Sequence, residues 1–156
     1  MEALNLQVGW AVFIGLVAAI EDLRRRQIPN WIPVAAILGG LGIAFRDHGW
    51  SGAGSSALGL VAGFAVFFVF YALGAMGGGD VKLMAGFGAV LGWSRIWEAS
   101  LWTAAVGGIV ALIAIGYSMM RKQFSPERPR DSTKKADAIP YAPAIAVGAW
   151  LALIAG

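Results

Sequence analysis

Cysteine is absent from the 156 residues, and His48 is the only histidine. No disulfide framework and no thiolate metal site can form. A single histidine in a polar loop reads as a solvated side chain rather than a metal ligand, so no metal and no cofactor are expected. Charge is scarce as well. Only 13% of the residues are Asp, Glu, Lys or Arg, about half of the roughly 25% found in soluble domains. The net charge of +3 would suggest nucleic acid if it lay on a soluble face. Instead the charges gather between apolar blocks, so the basicity reads as membrane topology and nucleic acid is set aside.

What the sequence has is apolar length. Hydrophobic residues make up 58% of it, and mean hydropathy is +0.69. Six apolar blocks run approximately over 4–20, 31–45, 57–75, 81–97, 101–120 and 141–155. A bilayer crossing takes about 20 apolar residues, usually about 17–25. The third and fifth blocks meet that outright, whereas the second and sixth are short. The first lacks a basic leader region and a small-x-small cleavage site ahead of the arginines, so it reads as a spanning helix rather than a secretory signal. The expected fold is all-α: a polytopic membrane protein, one membrane-embedded domain over 1–156, built as a bundle of about six transmembrane helices.

Lys and Arg counts orient the bundle. Alternate loops carry Arg24, Arg25 and Arg26, then Lys82, then Arg121, Lys122, Arg128, Arg130, Lys134 and Lys135; the other side has only Arg46 and Arg95. The richer side is expected in the cytoplasm, with both termini outside. Trp93, Trp97 and Trp102 form an interfacial cluster on the poorer side, and Trp31 and Tyr141 mark the cytoplasmic boundary. The fifth loop, 123–138, with Pro126 and Pro129, reads as a solvated connection attracted to anionic headgroups. The spacings Gly59-xxx-Gly63 and Gly88-xxx-Gly92 allow close helix approach, and among 22 glycines they imply a compact bundle and no more.

Carboxylates at membrane depth are costly and face a bundle interior or a wet cavity. Six of the nine acids lie in terminal or loop stretches, which leaves Glu21, Asp22 and Asp80. Glu21 and Asp22 close the first apolar block in "AAIEDLRRRQIPN", and Asp80 opens the fourth in "GGGDVKLMA". Taken alone, Asp80 reads as a helix N-cap, and Asp22 as an ion pair with Arg25 or Arg26. Taken together, two distant segments deliver acids to one membrane level.

These segments carry a resemblance. Gly77-Gly78-Gly79-Asp80 fits the G-x-G-D signature of intramembrane aspartic proteases, and "GGGDVKLMA" resembles its form in type IV prepilin peptidases. "EDLRRRQIPN", with Asp22, Pro29 and Asn30, is similar to that family's first aspartate segment, and "IPYAPAIAVGAW" to its last helix. The resemblance implies that Asp22 and Asp80 are catalytic, Asp22 rather than Glu21, with neither assigned as acid or base. It makes Gly77, Gly78 and Gly79 a site-supporting loop, expected to be mobile and non-helical along a water-accessible cleft. Lys82 then contacts substrate, Asp80 or headgroups, with headgroup anchoring preferred, and Asn30 is expected to cap the second helix.

The implied function is an aspartic endopeptidase of the bacterial inner membrane that cuts the basic leader from prepilins on the cytoplasmic side. Longer members of the family carry paired cysteines associated with N-methylation. This chain has no cysteine and is similar to the short branch serving Flp, or tight-adherence, pili, so cleavage without methylation is expected. The implied partners are a prepilin and the bilayer, and homo-oligomerisation is left open. The rival reading is a non-catalytic ion-conducting or structural subunit of a membrane assembly.

Overall fold

The computed structural model describes residues 2–74, 76–124 and 141–155. They form four helices: α1 (Glu2–Arg25), α2 (Trp31–Ala72), α3 (Gly78–Phe124) and α4 (Ala142–Ala155). α2 and α3 each break at one glycine, Gly49 (φ 59, ψ −142) and Gly92 (φ 74, ψ 178). Such positive φ is open to glycine and strained for other residues. The break at Gly49 folds the chain back on itself. A Cβ on Gly52 would collide with the Ala44 carbonyl oxygen, although an unbroken helix holds residues eight apart at about 12 Å. The described residues therefore hold six helical segments, one for each apolar block.

Two boundaries differ from the expected ones. The glycine- and serine-rich stretch 46–56 between the second and third apolar blocks reads from sequence as a short outer turn, and it is helical on both sides of Gly49. The break between the fourth and fifth blocks falls at Gly92 rather than after Trp97, so Trp93, Arg95 and Trp97 belong to the helix beyond it. Hydropathy reports where apolar density falls; the backbone turns where a residue tolerates positive φ. The part of the fifth loop beyond residue 124 lies outside the described residues.

The first half of α3 is the centre of the bundle. From Val81 to Leu91 every residue except Lys82 is buried, as expected of a helix that is apolar on all sides. α2 crosses it at glycines. A Cβ on Gly59 would strike the Gly88 carbonyl oxygen, and one on Gly88 would strike that of Gly59. Ser56 Oγ donates to the Ala89 carbonyl at 2.6 Å beside this crossing. The two small-xxx-small spacings thus belong to one backbone-to-backbone contact between α2 and α3.

Apolar side chains also cover the outside, including Phe13, Leu16, Leu38, Phe64, Leu112 and Ile113. Such a surface suits lipid rather than water. Among the described residues two helices qualify by length and apolarity as bilayer crossings, Leu6–Arg25 and Trp31–Ala72. The second contains the Gly49 reversal, so the membrane character stands, and a count of six crossings goes beyond these two helices.

Candidate active site

Asp22 lies in the last turn of α1, which stops where Arg26 takes a left-handed conformation (φ 51). The carboxylate points inward and is only 6% exposed. Its Oδ2 accepts the backbone N–H of Ala142, the first residue of α4, at 3.1 Å. A helix N-terminus presents unpaired amides and the positive end of its dipole, so it stabilises an anion. The Arg26 guanidinium also bears on Asp22 electrostatically.

Glu21 is built differently. Arg25 Nε lies 3.2 Å from Glu21 Oε2, an ion pair one helical turn apart and without hydrogen-bond geometry. Of the two arginines expected beside Asp22, Arg25 thus goes to its neighbour, because one residue of helix turns a side chain by about 100°, and Arg26 is the one whose charge reaches Asp22.

Asp80 sits in the first turn of α3, ahead of the apolar stretch that starts at Val81 and outside both qualifying crossings. It is not the N-cap. The helix begins at Gly78, and Asp80 reaches back so that Gly77 N–H donates to its Oδ2 at 3.2 Å. That is the acidic half of a capping box. Gly78 and Gly79 are helical rather than parts of a loop, which leaves Gly77 alone ahead of the helix. Burial, and after it the charge of Asp22, push the Asp80 carboxyl up to about 6, against the Gly77 hydrogen bond that lowers it.

The two aspartate segments touch. A Cβ on Gly79 would stand 3.3 Å from the Ile28 Cβ, so glycine lets the segment after α1 lie against the first turn of α3. Lys82 Nζ donates to Asn30 Oδ1 at 3.0 Å. Asn30 occupies the position before α2 but makes no side-chain cap, because its oxygen is taken by Lys82. These contacts hold the end of α1, the start of α2 and the start of α3 together, with α4 joined through Asp22. The result is two buried carboxyl groups that feel each other's charge, one of them steadied by a helix N-terminus.

The profile of the type IV leader peptidase family matches residues 10–112, a stretch that holds both aspartates. The chain belongs to the type IV leader peptidase family. Among its relatives are two proteins named prepilin leader peptidase/N-methyltransferase. That of Aeromonas hydrophila is 27% identical over 168 residues, covering 99% of this chain and 53% of the relative. That of Bacillus subtilis is 31% identical over 156 residues, covering 93% and 54%. The preflagellin peptidase of Methanocaldococcus jannaschii is 34% identical over 80 residues, covering 49% of the chain and 34% of the relative. The chain thus spans about half the length of the bacterial relatives it matches. No solved structure matches it.

For this leader peptidase family member, sequence reasoning misses two contacts. The Asp22 partner is a main-chain N–H, which every residue but proline carries and no sequence pattern marks. The Lys82–Asn30 bond joins two positions whose sequence contexts suggest separate roles, a headgroup anchor and a helix cap.

Proposed function

We propose that this protein is an aspartic endopeptidase of the bacterial inner membrane, and that it removes the basic leader from Flp-type prepilins at the cytoplasmic face without N-methylating the product. The observation that carries the proposal is the pair of buried carboxyl groups, Asp22 and Asp80, brought from the end of α1 and the start of α3 to where the charge of one bears on the other. Family membership and the names of the relatives support the same chemistry. In this reading the apolar stretch of each of the six helical segments crosses the bilayer, and the site lies at the Lys- and Arg-rich boundary, with Asp80 ahead of the fourth stretch.

The surroundings of the two acids suggest their roles. Asp22 is the anion, held by the α4 N-terminus, and takes a proton from the attacking water. Asp80 carries the shared proton and donates it to the developing oxyanion or the leaving amine. The capping-box bond of Asp80 to Gly77 is the part that gives way when substrate is bound.

The direct test incubates the purified protein with a Flp-type prepilin in mixed micelles and follows mass. Loss of a leader-sized fragment, leaving an unmethylated N-terminus, is the expected result. An intact prepilin, with a protein shown to be folded, would overturn the proposal.

Ala142→Pro tests the role of α4. Proline suits the first position of a helix and has no N–H, so this change deletes the hydrogen-bond donor to Asp22; its ring must also fit a fully buried position, so kcat is compared per folded molecule. A charge-assisted hydrogen bond contributes about 1.5–3 kcal/mol, so kcat should fall about 10- to 100-fold at nearly constant KM. A change confined to KM would show that the α4 N-terminus serves substrate binding instead.

The Lys82–Asn30 bond is expected to act as a positioning clasp. Lys82→Met and Asn30→Ala should each lower kcat/KM by roughly 2- to 10-fold, less than a buried charge-assisted bond would give, because this bond is exposed and weakened by solvent. The double variant should be no worse than either single one, since both remove the same bond. Additive losses would show that Lys82 contacts lipid or substrate on its own account.

A further inference from the structure

The end of the bundle remote from Asp22 and Asp80 holds a cavity of about 560 Å³ at the two glycine breaks. Its polar lining includes Gln7, Asp47, His48, Ser51, Ser94 and Arg95. Gln7 lies fifteen residues before Asp22, and Ser94 fourteen after Asp80. At 1.5 Å per helical residue these separations place the cavity roughly 20 Å from the acids. Nothing in the peptidase reading uses it.

Its lining divides into groups that hold the bundle and groups that do not. Gln7 Nε2 donates to the Val90 carbonyl, Ser56 donates to Ala89, and Ser55 Oγ accepts Trp93 N–H at 3.2 Å. Asp47 and Arg95 line the same cavity with opposite charges, yet among the described residues neither closes an ion pair or a hydrogen bond. Exposed aromatic pairs flank it. Phe45 and Trp50 meet edge to face at 5.2 Å, and Trp93 and Trp97 at 5.1 Å. Aromatic rings of this kind collect at the headgroup level of a bilayer.

We propose that this cavity binds the headgroup of a phospholipid that carries both a phosphate and a primary ammonium, with the phosphate on Arg95 and the ammonium on Asp47. The guanidinium matches phosphate oxygens with several N–H donors at once, and Ser51, Ser94 and His48 add donors around it. The Asp47 carboxylate accepts from the ammonium and disfavours a ligand that is only anionic. A quaternary ammonium has no N–H to give it. The volume falls within the roughly 300–1,000 Å³ of small-molecule sites, and the open side lets acyl chains run down the apolar exterior.

The test reconstitutes the whole protein in nanodiscs of phosphatidylethanolamine, phosphatidylglycerol or phosphatidylcholine. After transfer to detergent, native mass spectrometry counts the lipid retained. Phosphatidylethanolamine should be retained at least tenfold better than the other two. Asp47→Asn should erase its advantage over phosphatidylcholine, and Arg95→Gln should cut retention of all three about tenfold. Glu98→Gln, an exposed acid outside the lining, should change nothing. Competition by soluble glycerophosphoethanolamine at equal concentration would assign the site to a free phosphoamine instead of a lipid. Equal retention of the three lipids, or unchanged retention in both Asp47→Asn and Arg95→Gln, would overturn the proposal. Should Arg95→Gln not accumulate, Asp47→Asn together with the lipid series decides it.

Discussion

Asp22→Asn and Asp80→Asn are each expected to abolish leader cleavage, by on the order of 10³-fold, the usual scale for a positioned acid or base. Glu21→Gln should stay within a few-fold of the parent, because Glu21 pairs with Arg25 while Asp22 faces α4. The two asparagine variants should also fold, and Asp80→Asn should fold more stably. In the folded state burial raises the Asp80 carboxyl from 3.8 to about 6, so the native protein holds that proton more tightly than the unfolded chain does. Its ionisation therefore costs stability as pH rises from about 4 to about 6, by on the order of 3 kcal/mol at neutral pH.

Asparagine removes that cost and still accepts the Gly77 N–H. Thermal unfolding at pH 7.5 should thus shift upward by several degrees in Asp80→Asn, and at pH 4 the gain should vanish. A variant both inactive and more stable is the mark of a group placed for chemistry rather than for the fold. Should Asp80→Asn be less stable at pH 7.5, its carboxylate is a structural cap, and the proposed dyad fails with it.

Gly88→Val is expected to prevent the bundle from forming. At the α2–α3 crossing, a Cβ on Gly88 would meet the backbone of Gly59, including its carbonyl carbon at 2.7 Å, and the Leu60 Cα at 3.1 Å. Those atoms belong to a helix backbone and cannot rotate away as a side chain would. Overpacking costs about 1–3 kcal/mol even where side chains adjust, and here the helices themselves must separate, taking the buried residues 83–91 with them. Gly59→Ala should fail similarly, against the Gly88 carbonyl and the Gly92 backbone at 2.7 Å. Gly42→Ala is the comparison. A Cβ there meets nothing within 4 Å, so in mid-helix it should stabilise by about 0.5–1 kcal/mol. Size-exclusion profiles and unfolding midpoints in detergent would separate these outcomes. A monodisperse Gly88→Val of near-parental stability would show that the helices do not cross at this point.

The amino-acid sequence by itself determined the helical blocks, the membrane character and the two candidate acids, each for a physical reason. Burial in a bilayer requires long apolar runs, so the blocks and their membrane character follow from hydropathy alone. The cost of charge in that setting singles out three acids at block ends, Glu21, Asp22 and Asp80, and the resemblance of their segments to a known family selects Asp22 and Asp80 among them. Their local patterns, "EDLRRRQIPN" and "GGGDVKLMA", are specific enough to indicate the family to which the chain belongs.

Tertiary structure decided the rest, because it depends on directions and on backbone groups that residue types do not encode. Helix rotation buries Asp22 and leaves Glu21 to Arg25. Asp22 meets the amide of Ala142, 120 residues further along the chain, and a main-chain donor is the same whatever the side chain. Asn30 sits where a cap was expected, but its oxygen goes to Lys82, since the fold brings a cation within 3.0 Å of it. Gly78 and Gly79 begin a helix rather than extend a loop, because Asp80 caps the turn they make. The glycine spacings gained meaning only when the crossing set Gly59 against Gly88. Hydropathy and charge fix the depth of each residue in a membrane protein, and only the packing of helices fixes which residues at that depth meet.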